Sequence, residues 1–262
     1  MTEVRTLVDR VQRHHAGFEL DPETGIGTLT IRNSKSVNIL SSVVIDQLCE
    51  ALDEAWELPG LRVLVLRGSG DRAFVGGADI TEMRALGPAT AEAFIRRLGG
   101  LCEHARMFPV PVVARLSGWC LGGGLELAAA CDVRIAATSS MFGMPEVEIG
   151  IPSVIHAVLL PRLIGAGRAN YLVLTGDRID ASTALAWGLL DKVSEPDELD
   201  ATVAGMAGRL AGFGTNVVRQ QKRLLREWTF GDTPAAVEST VAEFVAAFET
   251  GEPQEFMGRF GR

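Results

Sequence analysis

The spacing of apolar residues predicts a helix in the first quarter of the chain. Between Val44 and Trp56 an apolar side chain recurs at every fourth position. Residues three or four apart share one face of an α-helix, so this pattern is typical of an amphipathic helix. We expect the helix to span residues 41–58, with Ser41 or Ser42 as its N-cap.

Strand patterns lie on both sides of this helix. Residues 17–33 predict two short strands around a glycine-containing turn, and polar and apolar residues alternate in the second. Residues 61–68 and 111–118 are nearly continuous apolar runs, which are typical of buried parallel strands. A predicted helix over residues 89–107 separates them. This alternation of strand and helix favours an α/β architecture with right-handed crossovers.

The second half of the chain has a different pattern. From about residue 157 onward the hydrophobic periodicity is helical, and longer helices are predicted to start near Glu195, Thr215 and Thr233. No low-complexity linker interrupts the chain. We therefore expect an α/β core followed by a helical C-terminal part, and not two independent domains.

Composition and charge narrow the class of protein. The chain has 262 residues, is 47% hydrophobic and carries a net charge of −8. That charge disfavours broad binding to nucleic acids or to anionic membranes. No apolar run of about 18 residues predicts a membrane span, and the N-terminal residues lack a secretory signal. The four scattered cysteines predict reduced, mostly buried thiols and a cytoplasmic protein: Cys49, Cys102, Cys120 and Cys131.

Several common catalytic motifs are absent from the sequence. It contains no GxSxG, GxxxxGK[ST] or HExxH motif. The histidines show no metal-ligand spacing: His14, His15, His104 and His156. A serine hydrolase, a P-loop NTPase and a zinc enzyme are therefore unsupported, and we expect no metal site.

Two glycine-bearing loops follow the apolar runs. One reads FVGGAD over residues 74–79, and the other reads CLGGG over residues 120–124. Loops at the carboxyl ends of parallel strands are common positions for sites in α/β proteins. One backbone N–H from each loop, with a helix starting at Gly123, would make an oxyanion hole. The alternative is a pair of tight turns with close packing.

Two glutamates lie among apolar residues. Glu126 follows the second glycine loop, and Glu146 lies in MFGMPEVEIGIP, residues 141–152. A carboxyl group in apolar surroundings has a raised pKa and can act as an acid or a base. The alternatives are a favourable charge in the first turn of a helix for Glu126 and a solvated loop carboxylate for Glu146.

Three long segments resemble one enzyme family. FVGGADITEM, GWCLGGGLELAAACDVRIAATSSMFGMPEVEIGIP and LVLTGDRIDASTALAWGLLDKV occur in the order and spacing of the crotonase (enoyl-CoA hydratase/isomerase) superfamily. The resemblance runs from about residue 17 to near the C-terminus. It implies an α/β spiral of ββα units over residues 1–195. It also implies a helical region over residues 196–262 that packs on the core and on neighbouring subunits, in a homotrimer or a hexamer.

The resemblance also implies the chemistry. In this family two backbone N–H groups stabilise a thioester enolate, and the matching positions are Ala78 and Gly123. Two glutamates flank the substrate in the hydratase branch, at positions matching Glu126 and Glu146. Glu126 would deprotonate the water that attacks C3, and Glu146 would exchange the proton at C2. The implied substrate is an enoyl-CoA thioester, with CoA as part of the substrate and no separate cofactor.

Further positions are implied to bind the substrate and its CoA group: Arg32, Lys35, Gly77, Asp79, Ile80 and Gly122. A second basic cluster, Arg219, Lys222 and Arg223, either meets the CoA nucleotide or forms a solvated helix face.

One stretch departs from the family pattern. Many members carry DAGGT after GIP, whereas this chain has SVIHA over residues 153–157. Ser153 takes the acidic position, and Ile155 and His156 replace the two glycines. We expect these larger side chains to reshape a possible acyl pocket. His156 is either a polar or catalytic contact to the acyl group or a packing residue.

Other functions remain open from sequence alone. Hydration or dehydration is favoured because both glutamates are present, whereas an isomerase needs only the position matching Glu146. Other acyl-CoA lyases are a third possibility. A non-enzymatic RNA-binding or scaffold homologue is a fourth, although the acidic balance and the lack of a basic, aromatic stripe disfavour RNA.

Overall fold

The computed structural model describes residues 13–32 and 37–230. Lys35 and the helix predicted near Thr233 lie outside these residues. The described strands are β1 (Ala16–Asp21), β2 (Ile26–Ile31), β3 (Ile39–Leu40), β4 (Val63–Gly68), β5 (Ala73–Val75), β6 (Gly77–Ala78), β7 (Val112–Leu116), β8 (Trp119–Leu121), β9 (Val133–Ala137), β10 (Met141–Gly143), β11 (Arg178–Asp180) and β12 (Lys192–Ser194).

The helices lie between and after these strands. They are α1 (Ser42–Trp56), α2 (Ile80–Met83), α3 (Pro88–Met107), α4 (Gly123–Ala130), α5 (Leu160–Ile164), α6 (Ala166–Thr175), α7 (Ala181–Trp187), α8 (Leu199–Ala211) and α9 (Thr215–Phe230). Two 3₁₀ turns, Pro145–Ile149 and Ile155–Leu159, precede α5. Within residues 13–32 and 37–230, no helix has the length and apolar character needed to cross a bilayer.

A six-stranded sheet forms the larger layer, in the order β1-β2-β4-β7-β9-β12. Strand β1 is antiparallel to β2, and the other neighbours are parallel. Strands β4 and β7 are almost entirely buried. This burial on both faces explains why their sequences are continuous apolar runs.

A second, four-stranded sheet was not predicted from the sequence. Its order is β11-β10-β8-β5, with β5, β8 and β10 parallel and β11 antiparallel. Each of its strands has three residues, which is too short for a readable alternation. Strands β4, β7 and β9 of the large sheet are each followed by one of these parallel strands. The repeat of two strands and a helix, and the α/β class, are therefore confirmed.

Helix α1 matches its predicted position. Ser41 has an extended backbone, and its hydroxyl accepts from the N–H of Val44 at 3.4 Å, so Ser41 is the N-cap. The predicted apolar face is buried as far as Leu52. Trp56, the last apolar residue of the pattern, is 39% exposed and lies edge-on against Phe108. The periodicity continued to the last turn, but the neighbouring elements cover only part of the indole.

The C-terminal helices pack directly on the core. Apolar residues of α8, including Leu199 and Val203, cover the face of the large sheet formed by Val63, Val113 and Ile135. Helix α9 is fixed by Lys222, whose buried ammonium group donates to Asp132 and to the Val110 carbonyl. These contacts agree with a helical region that packs on the core. The boundary at residues 195 and 196 remains a prediction.

Candidate active site

Three neighbouring parallel strands of the small sheet end at one edge. Strand β8 lies between β5 and β10, and Leu121 at its end is opposite Gly143 of β10. The chain leaving β5 contains the first glycine loop, and the chain leaving β8 contains the second. The chain leaving β10 contains Glu146. Because the strands are parallel neighbours, these three segments meet although more than 60 residues separate the first from the last.

The three segments enclose a cavity of about 260 Å³. Its walls include seven of the residues predicted from the sequence: Gly77, Ala78, Ile80, Gly122, Gly123, Glu126 and Glu146. Apolar side chains complete the lining, among them Met83, Phe94, Leu98 and Ile151. The cavity therefore brings together two carboxyl groups, two glycine loops and an apolar wall. A mostly apolar lining with a few fixed polar groups is typical of a site for a small organic ligand.

Each glycine of the triplet has its own physical reason. Gly122 has φ +52° and ψ −125°, and a Cβ there would overlap the carboxylate of Glu146. A Cβ on Gly123 would lie 2.9 Å from Leu98 Cδ2. A Cβ on Gly124 would lie 2.5 Å from the Val75 carbonyl oxygen on β5. The triplet lets α4 start against a carboxylate, an apolar side chain and a neighbouring strand.

Residues of both glycine loops lie in the cavity wall. The first intrahelical bond of α4 runs from Glu126 N–H to the Gly122 carbonyl at 3.0 Å. The N–H of Gly123 lies in the first turn, where a helix offers no acceptor of its own. On the other loop, Gly77 has φ +123° and leads into Ala78. The segment is fixed next to Ala78, where the Asp79 N–H donates to the Leu40 carbonyl.

Asp79 has a supporting position and does not itself line the cavity. Its carboxylate caps α2 by accepting from the N–H groups of Thr81 at 2.9 Å and Glu82 at 3.3 Å. Helix α2 supplies Ile80 and Met83 to the cavity wall. Asp79 therefore sets the direction of the segment that carries these side chains, and its role in substrate binding stays a prediction.

Glu126 is the more deeply buried of the two glutamates, with 4% of its surface exposed. Burial raises its pKa to about 8, and the nearby Glu146 adds to the increase. The N–H of Ala157 donates to Oε1 at 2.9 Å, which favours the ionised form and opposes these effects. A carboxyl group with a pKa near neutrality can both accept and release a proton.

Glu146 lies on the 3₁₀ turn Pro145–Ile149, in the part of the cavity wall formed by the third segment. Burial raises its pKa, while its own backbone N–H and the Ser153 hydroxyl lower it. The Ser153 hydroxyl donates to Oε2 at 3.1 Å. The charge of Glu146 also contributes to the raised pKa of Glu126, after the larger effect of burial.

The structure does not bring Ile155 and His156 to the cavity. The described lining ends at Val154 on this segment, and Ile155 instead packs on Gly99 of α3. His156 Nε2 lies 3.2 Å from Glu103 Oε2, and the ring is mostly buried. Burial lowers the pKa of His156, which opposes its protonation. Of the two readings of His156, this position favours packing over contact with an acyl group.

Two of the basic residues predicted to contact CoA, Arg32 and Lys222, lie outside the cavity lining. Arg32 follows β2, where its guanidinium lies against Gly17 and outside the cavity lining. Lys222 is 5% exposed and paired with Asp132, so neither proposed role of the second cluster applies to it. Helical periodicity alone could not show that a lysine on an amphipathic helix points inward to a carboxylate.

Sequence reasoning missed three features of the site. The Ala157 N–H carries no side-chain signal, since any residue can donate it. Ser153 was recognised only as a replacement, and its bond to Glu146 requires the fold. Arg178 lines the cavity and forms a two-point ion pair with Glu148, the second contact being 2.9 Å. Arg178 lies there because β11 pairs with β10, placing it opposite Gly143.

In the part of the chain that the structure describes, no cluster of three His, Cys, Asp or Glu residues could hold a metal ion. The four cysteines are free thiols, and all except Cys49 are buried.

Comparisons of sequence and of structure relate the chain to known proteins. The family model described as enoyl-CoA hydratase/isomerase matches residues 21–261. Crotonyl-CoA hydratase of Syntrophomonas wolfei is 36% identical, over 92% of this chain and 93% of its own. Short-chain-enoyl-CoA hydratase of Clostridium acetobutylicum is 31% identical over the same shares. The crystal structure of enoyl-CoA hydratase from Bacillus anthracis superposes with a TM-score of 0.89 at 29% identity, covering 94% of this chain and 95% of that one. The chain belongs to the enoyl-CoA hydratase/isomerase family.

Proposed function

We propose that this protein is an enoyl-CoA hydratase, which adds water across the 2,3 double bond of an enoyl-CoA thioester or removes it in the reverse direction. One observation carries the proposal: Glu126 and Glu146 both line the cavity into which the two glycine loops open. The relatives named as hydratases support the same reaction.

The thioester oxygen would accept from the N–H groups of Ala78 and Gly123. When water attacks C3, electrons move from the double bond to this oxygen, so negative charge develops where the two donors converge. Donors fixed by the fold need no reorganisation as the charge forms. Losing one such donor typically raises the barrier by about 3–4 kcal/mol.

The two glutamates divide the proton transfers. In hydration, Glu126 accepts a proton from water while the water oxygen bonds to C3. Glu146 then donates a proton to C2, which converts the enolate back to the thioester. One proton enters the pair and one leaves it, so the total protonation of the pair is unchanged. Dehydration begins from the opposite arrangement of the same single proton. Both directions therefore require the pair to hold one proton.

The proposed reaction uses water and proton transfer, and CoA enters as part of the substrate. No redox step occurs, so we propose no separate cofactor. We also propose that the protein works in the cytoplasm, as its free thiols favour.

A homotrimer, or a hexamer made from two trimers, is proposed for the assembly. Exposed apolar side chains at Val158 and Leu174 support an assembled form. Size-exclusion chromatography with light scattering tests it, and a monomer would contradict it.

The direct test is hydration of a panel of enoyl-CoA thioesters, followed through the loss of conjugated absorbance. The panel runs from short straight chains to branched and aromatic ones. Glu126→Gln and Glu146→Gln should each lower kcat by about 10²–10⁴ fold. Glu92→Gln, on the exposed face of α3, is the matched control. An inactive wild type that still binds CoA would contradict hydration and favour an isomerase or another lyase.

A further inference from the structure

Two consecutive residues dock the second 3₁₀ turn on helix α3. Ile155 packs so closely on Gly99 that a Cβ at Gly99 would lie 3.1 Å from Ile155 Cγ2. His156 Nε2 lies 3.2 Å from Glu103 Oε2. Gly99 and Glu103 are four residues apart and share one face of α3. Each docking residue of the turn therefore meets its own position on the same helix face.

The docking is specific in both backbone and charge. Ile155 has φ +41°, which is rare for a β-branched residue and requires surroundings that hold it there. Glu103 is fixed by Arg106, with contacts of 2.8 and 2.6 Å, and this pair lowers the pKa of Glu103 to about 2. Glu103 therefore stays ionised at neutral pH and can accept a hydrogen bond from His156.

The next residue of the turn reaches the proposed catalytic carboxyl group. The Ala157 N–H is shared between the Val154 carbonyl, at 2.9 Å, and Glu126 Oε1, also at 2.9 Å. A shared donor is sensitive to small rotations of its peptide, because moving toward one acceptor weakens the bond to the other. The orientation of this turn therefore sets the strength of the hydrogen bond between the Ala157 N–H and Glu126.

We propose that His156 is a positioning residue: by binding Glu103 it fixes the turn on α3 and holds the Ala157 N–H on the carboxylate of Glu126. The ionisable and charged groups that face this arrangement come from three elements. Helix α3 supplies Glu103, Arg106 and the buried Cys102 thiol, α9 supplies Arg226, and Glu146 lies across the cavity from Glu126. The proposal rests on the proposed function only in that Glu126 is the group whose position matters for catalysis.

Two substitutions separate this role from packing. His156→Gln keeps an N–H donor that can reach Glu103, whereas His156→Leu keeps apolar volume and removes the donor. Glu92→Gln is the control, because it breaks the exposed Glu92–Arg96 pair on the same helix. Should His156→Leu fail to fold, Glu103→Gln removes the charged acceptor while preserving its size.

The expected result is a fall in kcat of about tenfold or more in His156→Leu with little change in KM, since the bound substrate would meet a misplaced acid–base group. His156→Gln should recover most of the loss. The alkaline limb of the rate profile should move to higher pH in His156→Leu, because Glu126 loses a donor that favours its ionised form. Wild-type kcat and an unmoved limb in His156→Leu would overturn the proposal.

A second readout does not depend on activity. The infrared band of the protonated Glu126 carboxyl group is the band lost in Glu126→Gln, and its titration gives the pKa of Glu126. That pKa should rise in His156→Leu and not in Glu92→Gln. If no thioester is hydrated, the proposed function fails, yet this titration still decides the inference. A raised pKa supports it and an unchanged one overturns it.

Discussion

The backbone N–H of Ala157 donates to Oε1 of Glu126 at 2.9 Å, although 31 residues separate them in the chain. The bond opposes the effect of burial, yet the pKa of Glu126 remains at about 8. The fold thus holds the Glu126 carboxyl group in a fixed position, and its protonated and ionised forms differ little in free energy near pH 8. That combination suits a group that must take a proton in one direction of a reaction and release it in the other.

The raised pKa of Glu126 predicts a pH-dependent cost in stability. The ordinary pKa of this group is 4.5, and the folded value is about 8. Between these values the folded chain keeps a proton that the unfolded chain releases, so the free energy of unfolding falls as pH rises. Glu126→Gln cannot titrate and should be more stable than wild type at pH 8, by on the order of 2–4 kcal/mol, and nearly equal at pH 4.

Urea unfolding at several pH values measures this difference. Glu92→Gln, whose carboxylate is exposed, should keep the wild-type slope. An identical slope in Glu126→Gln would mean that the folded pKa of Glu126 is close to its ordinary value.

The pair of glutamates predicts the shape of the rate profile. Both directions need a single proton on the pair, and kcat/KM should fall as the last proton leaves, at about pH 8. Hydration neither consumes nor releases a net proton, so its equilibrium constant does not depend on pH. The profiles of kcat/KM for hydration and for dehydration should therefore have the same shape. Initial rates of enoyl-CoA hydration measured across pH check the position of the limb, and a kcat/KM that stays level well above pH 8 would contradict a required proton on the pair.

Gly122 predicts a linked loss of stability and activity. Its φ of +52° with ψ of −125° is a conformation that side chains disfavour, and a Cβ would overlap the Glu146 carboxylate. Gly122→Ala should lower the free energy of unfolding by about 1–3 kcal/mol. It should also lower kcat by about 10² fold through displacement of Glu146.

Gly208→Ala is the matched control for this substitution. Gly208 lies inside α8 with nothing within 4 Å of a new Cβ, so the change should stabilise the protein by about 0.5–1 kcal/mol. Denaturant unfolding and steady-state kinetics on both variants decide the outcome. A fully active and stable Gly122→Ala would show that the loop adopts another conformation in solution.

Lys222 predicts how firmly α9 is joined to the core. Its ammonium group is buried against Asp132 and the Val110 carbonyl. Lys222→Met keeps the length of the side chain but leaves Asp132 without its cation, which should lower the free energy of unfolding by about 3 kcal/mol. Arg223→Met, in the same helix turn, should lower the free energy of unfolding by less, because Asp132 remains paired with Lys222. Equal losses in the two variants would contradict the special role of Lys222.

The sequence predicted the large elements and the residue types of the site. Helix α1 and strands β4 and β7 have long periodic or continuous apolar patterns, which follow directly from burial on one face or two. Glu126 and the glycine triplet stood out because a charge and three glycines are costly among apolar residues. The meeting of the two glycine loops was predicted from their positions after parallel strands. The specific roles of Ala78, Glu126 and Glu146 were reached only by resemblance to a family.

The parts that could not be predicted depend on tertiary contacts. The strands β5, β8 and β10 have three residues each, yet they align the three segments that form the cavity. Lys222 has the same local pattern as a solvated lysine, and only the position of Asp132 makes it a buried one. The Ala157 N–H is invisible in sequence because the atom that bonds Glu126 belongs to the backbone.

The most direct test of the division of labour between the two glutamates is proton exchange at C2 of butyryl-CoA in deuterated water, followed by mass spectrometry. This thioester has no double bond to hydrate, so exchange requires only a base at C2 and donors for the enolate oxygen. Glu126→Gln should retain exchange within about tenfold of wild type, and Glu146→Gln should lose it by 10² fold or more. Exchange that persists in Glu146→Gln and disappears in Glu126→Gln would contradict the assigned roles.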